Sequence, residues 1–154
     1  MRKEEEWQED CMEEREITVG PGAKTIDSPT EQKRLAERKK SNSDYFLQAA
    51  RNLLGTDTPA GVFVLGHLAV EKKVEQALAL KGYKVNTHIC TIKGLSRVLE
   101  EKDLSKDMDR IYKRRQDVNY ETEITEEVED DAERFMEERV EPFIEDMDEV
   151  IEDL

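Results

Sequence analysis

The chain has 154 residues, with 38 acidic and 24 basic side chains, a net charge of −14, and a composition 36% hydrophobic and 40% charged. That length points to one domain with an appendage, and that balance to a helical protein with a thin core. A strongly acidic chain is a poor non-specific nucleic-acid binder, because phosphate contacts rest on Lys and Arg.

The charge is unevenly spread. Residues 1–16 hold eight acids and three bases, residues 126–154 fifteen acids and two bases, and residues 17–125 fifteen acids and nineteen bases. The middle is therefore mildly basic, and a local basic face is open to it.

In chain order, residues 1–16 (MRKEEEWQEDCMEERE) have only Met1, Trp7, Cys11 and Met12 as apolar residues. A frayed, charged tail is expected, with little to bury. The alternative is that Trp7 and Cys11, four apart, dock one helical turn. Ile17 to Ile26, with Gly20-Pro21-Gly22, reads as a linker. Residues 1–27 are thus expected to be a charged N-terminal tail and linker, and 28–154 a helical bundle. Two cysteines, Cys11 and Cys90, lie far apart with one in the tail, so neither a structural disulfide nor a zinc site built from them is expected. No apolar leader region opens the chain and no apolar run is clean enough to span a bilayer, which predicts a cytoplasmic protein without a membrane partner.

Ser28-Pro29-Thr30-Glu31 is a helix start, with Ser at the cap, Pro at the first position and Glu placed to reach back. The helix is charged through Lys40, and Ser41-Asn42-Ser43-Asp44 can interrupt it. Tyr45, Phe46, Ala49, Ala50, Leu53 and Leu54 then form its apolar face. Pro59 to Gly82 is the central segment, with Val62, Leu65, Ala69, Val70, Val74, Ala77 and Leu78 at three- and four-residue steps. Pro59 suits the first turn and Gly82 the left-handed position beyond the end. The short link between these helices makes them antiparallel neighbours.

Tyr83 to Asn86 reads as a loop. Thr87 caps a third helix to about Glu101 with Ile89, Ile92, Leu95, Val98 and Leu99 inward, weakened at Gly94 by about a kcal/mol relative to Ala. Ser105 can cap a fourth, with Met108, Ile111 and Tyr112 inward and Arg110, Lys113, Arg114 and Arg115 gathering positive charge. After a bend around Val118 to Thr122, Thr125 starts a last, acidic helix that Pro142 should kink or divide. If the bundle is closed before its end, Phe143, Met147, Val150 and Leu154 are left as an exposed patch for a dimer or partner, and truncation at Pro142 should then yield monomers. No strand periodicity and no internal repeat is visible. The fold class is all-α, an up-and-down bundle of about five helices.

Four segments, DYFLQAARNLL, GVFVLGHLAVEKKVEQALALKGY, THICTIKGL and YKRRQDVNY, carry a resemblance. From about Ser43 to the end the chain resembles the HEPN domain, a small helical bundle often found beside a minimal nucleotidyltransferase. Many members are implied to be metal-independent ribonucleases that use an arginine, four residues and a histidine at a helix end facing the dimer mate. A guanidinium can hold a phosphate bidentately while an imidazole moves the ribose 2′-OH proton. Here Arg115 is followed after four residues by Tyr120, and Arg114 by Asn119 in the other register. Tyrosine, ordinarily titrating near 10, is a poor base at neutral pH.

The resemblance therefore implies phosphate binding at Arg114 and Arg115, with Arg115 and Tyr120 the catalytic candidates if the chain is an enzyme. The competing reading of the two arginines is a solvated basic helix end that complements the helix dipole, and of Tyr120 a packing residue. His67 and Glu71 share one helix face and are expected to support the site, Glu71 by facing the arginine across the bundle and holding it in an ion pair; the plainer reading is a half-buried hydrogen-bonding pair. With His88 they sketch a metal site, but no fourth ligand has recognisable spacing, so no metal and no cofactor is expected. Three functions follow: a dimeric module that engages a nucleotide or RNA phosphate and a nucleotidyltransferase partner in a toxin–antitoxin-type system; a ribonuclease using Arg115 with a non-histidine partner; or a structural bundle that oligomerises through its last helix.

Overall fold

A computed structural model describes residues 2–12, 21–119 and 126–154. Tyr120, Thr125 and most of the expected bend lie outside the described residues. The elements are α1 (Arg2–Met12), β1 (Ala23–Thr25), α2 (Pro29–Leu53), α3 (Ala60–Leu80), β2 (Tyr83–Val85), α4 (His88–Arg97), α5 (Lys102–Asn119), α6 (Glu126–Arg134), a π-helical stretch (Phe135–Val140) and α7 (Glu141–Glu152). α6, the π stretch and α7 run on without a break, so the expected five helices are all present and α1 makes a sixth.

α2 and α3 form the antiparallel pair around which the rest assembles. The Ser28 side chain accepts from Glu31 N at 3.4 Å with Pro29 next to it, as the motif predicts, while the Glu31 carboxylate pairs with Arg34 at 3.1 Å. The Ser41–Asp44 stretch does not interrupt α2. Ser43 is buried and donates to the Ala69 carbonyl at 2.7 Å, so its polar group is satisfied by the neighbouring helix. Along α3, Val62, Phe63, Ala69, Val70, Val74, Ala77 and Leu78 are all fully buried, and Gly82 adopts φ 96° just beyond its end. Tyr45 departs from its expected inward place and is 70% exposed.

The expectation of a frayed first segment is corrected: α1 is docked. Trp7 and Cys11, one turn apart, are both buried, and the Trp7 indole donates to the Cys90 carbonyl at 2.9 Å. Trp7 also meets Tyr83 edge-on at 4.8 Å, and the Tyr83 hydroxyl donates to Glu4 and accepts from Gln8, each at 2.6 Å. Cys11 and Cys90 form a disulfide across a Cα separation of 5.9 Å, well inside the reach of such a bond. The expectation of two unrelated cysteines fails because seventy-nine residues of sequence separation vanish once α1 lies on α4. Gly94 is explained by the same contact, since a Cβ there would stand 3.0 Å from Leu78 and 3.3 Å from the Trp7 nitrogen.

The expected linker and loop each supply a short strand. β1 and β2 pair antiparallel, Ala23 opposite Val85 and Thr25 opposite Tyr83, with Tyr83 and Val85 buried on one side. Three residues are too few for a period-two pattern to stand out in sequence.

α4 starts where expected, with Thr87 capping Cys90 N at 3.2 Å, but ends at Arg97, and Ile89 is 63% exposed. α5 begins at Lys102, so Ser105 is not its cap; its hydroxyl donates to the Ile92 carbonyl at 3.0 Å and ties α5 to α4. The last rod is divided by the wide π turn, which ends as Pro142 enters the first turn of α7. The expected exposed patch is also corrected. Phe143 and Met147 are buried in the common core, Val150 is half-buried, and Leu154 alone of the four is exposed. Among the described residues no helix is long and apolar enough to cross a membrane.

Candidate functional site

The middle of α3, the first residue of α4 and the last turns of α5 converge on one cluster. α3 presents His67 and Glu71 one turn apart on the same face. Thr87 fixes the start of α4 so that His88 is its first helical residue, and α5 presents Tyr112 and Arg115, three apart. The His88 ring stacks on Tyr112 at 3.7 Å between centroids and meets His67 edge-on at 4.9 Å.

Arg115 reaches the buried His67, with Nη1 2.9 Å from Nδ1. A guanidinium only donates, so Nδ1 must offer its lone pair and neutral His67 carries its proton on Nε2. Burial holds the His67 imidazole down to about 3, with His88 and Arg115 adding repulsion. Burial, then Arg115, holds His88 down to about 4, against a small opposing pull from Asp109. Both rings are therefore neutral at pH 7, and neither is a strong base.

The Glu71 carboxylate sits between the two rings, 3.7 Å from His67 Nε2 and 3.9 Å from His88 Nδ1, beyond hydrogen-bonding distance of both. Burial and the nearby Glu75 push the Glu71 carboxyl up, while Lys72, Arg115 and Lys39 pull it down. Among the described residues, His67 Nε2 and both ring nitrogens of His88 are buried without a hydrogen-bond partner. The ligand atoms of His67, Glu71 and His88 lie within 4.8 Å of one another.

The structure brings Arg115, His67 and Glu71 into one neighbourhood and separates them from Arg114. A step of one residue on a helix turns the side chain by about 100°. Arg114 accordingly points the other way, donating to Asp131 at 2.7 Å and lying over the Phe63 ring at 5.2 Å. It borders a cleft of about 160 Å³ together with Arg134, Phe135 and Arg139. Tyr120, the sequence-based partner of Arg115, falls outside the described residues. Tyr112, expected only as core, belongs to the cluster, and its spacing of three from Arg115 is the signal that places both on one side. The expected pairings of Glu71 are corrected: His67 is fully buried rather than half-buried and does not hydrogen-bond Glu71, and among the described residues Arg115 forms its hydrogen bond with His67 rather than an ion pair with Glu71.

Residues 36–154 match the family model of the HEPN domain. No curated protein and no solved structure matches the chain.

Proposed function

Because the chain belongs to the HEPN domain family, we propose that it is a nucleotide- or RNA-related binding module that takes a phosphate group at Arg115. One observation carries this reading. Among the described residues Arg115 has no carboxylate within ion-pair distance, and its hydrogen bond goes instead to a neutral histidine. The guanidinium is thus oriented by His67 without being neutralised by a close ion pair, and its remaining donors suit a phosphate held bidentately. Arg114, engaged by Asp131, lines a separate cleft with Arg134 and Arg139, whose charge Asp131 and Glu138 offset in part, and offers a second place for a phosphate.

The family setting supports a homodimer, a nucleotidyltransferase partner and a toxin–antitoxin-type system. The test of the binding site is titration of tag-free protein with a short RNA and with mononucleotides. Arg115→Ala should weaken binding about tenfold or more while leaving the circular dichroism unchanged. Equal affinity of both proteins would overturn the assignment.

The ribonuclease reading gains from the finding that Arg115 meets histidine in space, on α3, although not five positions along α5. His67 and His88 are held too low to be strong bases, which favours binding over cleavage. RNA cleavage in EDTA that is abolished by Arg115→Ala would reverse that order.

A further inference from the structure

The cluster contains three buried nitrogen atoms, His67 Nε2 and both ring nitrogens of His88, that have no hydrogen-bond partner among the described residues. Unpaired buried polar groups are costly, and a native fold rarely retains three of them side by side without a ligand to engage them. The Glu71 carboxylate stands between them and reaches neither ring.

From this arrangement we propose that His67, Glu71 and His88 form a binding site for a divalent transition-metal ion of the zinc and cobalt class. The donor set is two imidazoles and one carboxylate, which suits such ions with a fourth position left to water. Tetrahedral ligands at about 2.0–2.2 Å from a metal stand about 3.4 Å from one another. His67 Nε2 stands 3.7 Å from Glu71 Oε2 and His88 Nδ1 3.9 Å from Glu71 Oε1, and one ligand atom from each residue lies within 4.8 Å of the others, so side-chain rotations must draw the set together by up to about 1.4 Å. His67 and Glu71 come from one helix face and His88 from a capped helix start, so rigid elements hold all three. Side-chain exposures of 14% for Glu71 and 18% for His88 leave a narrow route for an ion.

Arg115 makes the site conditional. A metal on His67 Nε2 requires the ring proton to move to Nδ1, where it faces the Arg115 donor at 2.9 Å. Two donors cannot share that contact, so metal binding must release Arg115 from His67. The guanidinium then becomes free to swing toward an incoming anion. This inference goes beyond the phosphate reading and does not require it.

The experiment is a titration of tag-free, oxidised protein with Co²⁺ alone, in phosphate-free buffer, followed by visible absorption and calorimetry. One equivalent should bind with the absorption of a four-coordinate site and be displaced by Zn²⁺. Glu71→Gln and His88→Gln, which keep side-chain volume, should each weaken binding about a hundredfold or more. Arg115→Gln should tighten it, because a cation and a competing donor are removed. An apparent Kd weaker than about 1 mM in the wild type would overturn the site. So would unchanged affinity in Glu71→Gln and His88→Gln proteins whose circular dichroism matches the wild type. Since no phosphate is present, either negative result leaves the RNA titration of Arg115 to be judged separately.

Discussion

Arg115 Nη1 lies 2.9 Å from His67 Nδ1, so a permanent cation is tied to an imidazole that burial keeps uncharged. The unfolded chain protonates this histidine below its ordinary 6.5, whereas the folded chain resists until about 3. In that window the unfolded state binds more protons, and stability falls as pH drops from 6.5 toward 3. His88 acts in the same direction between 6.5 and about 4. Glu71, pushed up, acts oppositely in its own window above 4.5. The Tm of the wild type should therefore drop more steeply between pH 7 and 5 than that of His67→Gln, the limit for one such group being about 1.4 kcal/mol per pH unit. Parallel Tm curves for the two proteins would contradict this account.

The disulfide between Cys11 and Cys90 closes a long loop. On chain entropy alone such a crosslink contributes about 4–5 kcal/mol. Adding reductant, or replacing Cys11 with Ser, should lower Tm by well over ten degrees and expose Trp7. Fluorescence of the single tryptophan reports the second effect directly.

At Gly66 the crossing of α3 over the π turn is too close for a side chain. A Cβ would stand 2.9 Å from Phe135, 3.1 Å from Val140 and 3.3 Å from Met136. Gly66→Ala should destabilise by about 1–3 kcal/mol in urea unfolding, although alanine is the better helix former by about 1 kcal/mol.

Truncation at Pro142 should not yield a folded monomer. It removes Phe143 and Met147, which fill the common core. The expected result is loss of a cooperative urea transition, seen by circular dichroism.

The helices that carry their own punctuation were legible. Ser28-Pro29 and Thr87 cap α2 and α4 as written, and Gly82 ends α3 with a positive φ. The resemblance from Ser43 onward coincides with most of the matched span of 36–154. What stayed hidden depends on partners distant in sequence. α1 is held by residues more than seventy positions away, and β1 by a strand some sixty positions on. Trp7 and Cys11 are only two residues, too few to outweigh the charges around them in any window. The site was half legible: Arg115, His67 and Glu71 were singled out, but the 48-residue jump from His67 to Arg115 leaves no spacing to read. That Arg114 and Arg115 part company follows from the helical turn between neighbours once α6 and α3 are in place.

The Cys11–Cys90 link also turns the chain into a closed ring with two free arms. α2, α3 and both strands lie inside the ring, whereas α5, α6 and α7 lie on the C-terminal arm, after Cys90. Pulled by its ends, the oxidised protein cannot pay out the stretch between Cys11 and Cys90 as a single strand. A protease or translocating motor working from the C-terminal side would unravel α7, α6 and then α5 with Arg115 before it met a loop it cannot thread as a single strand. Reduction would open that loop and let the whole chain pass.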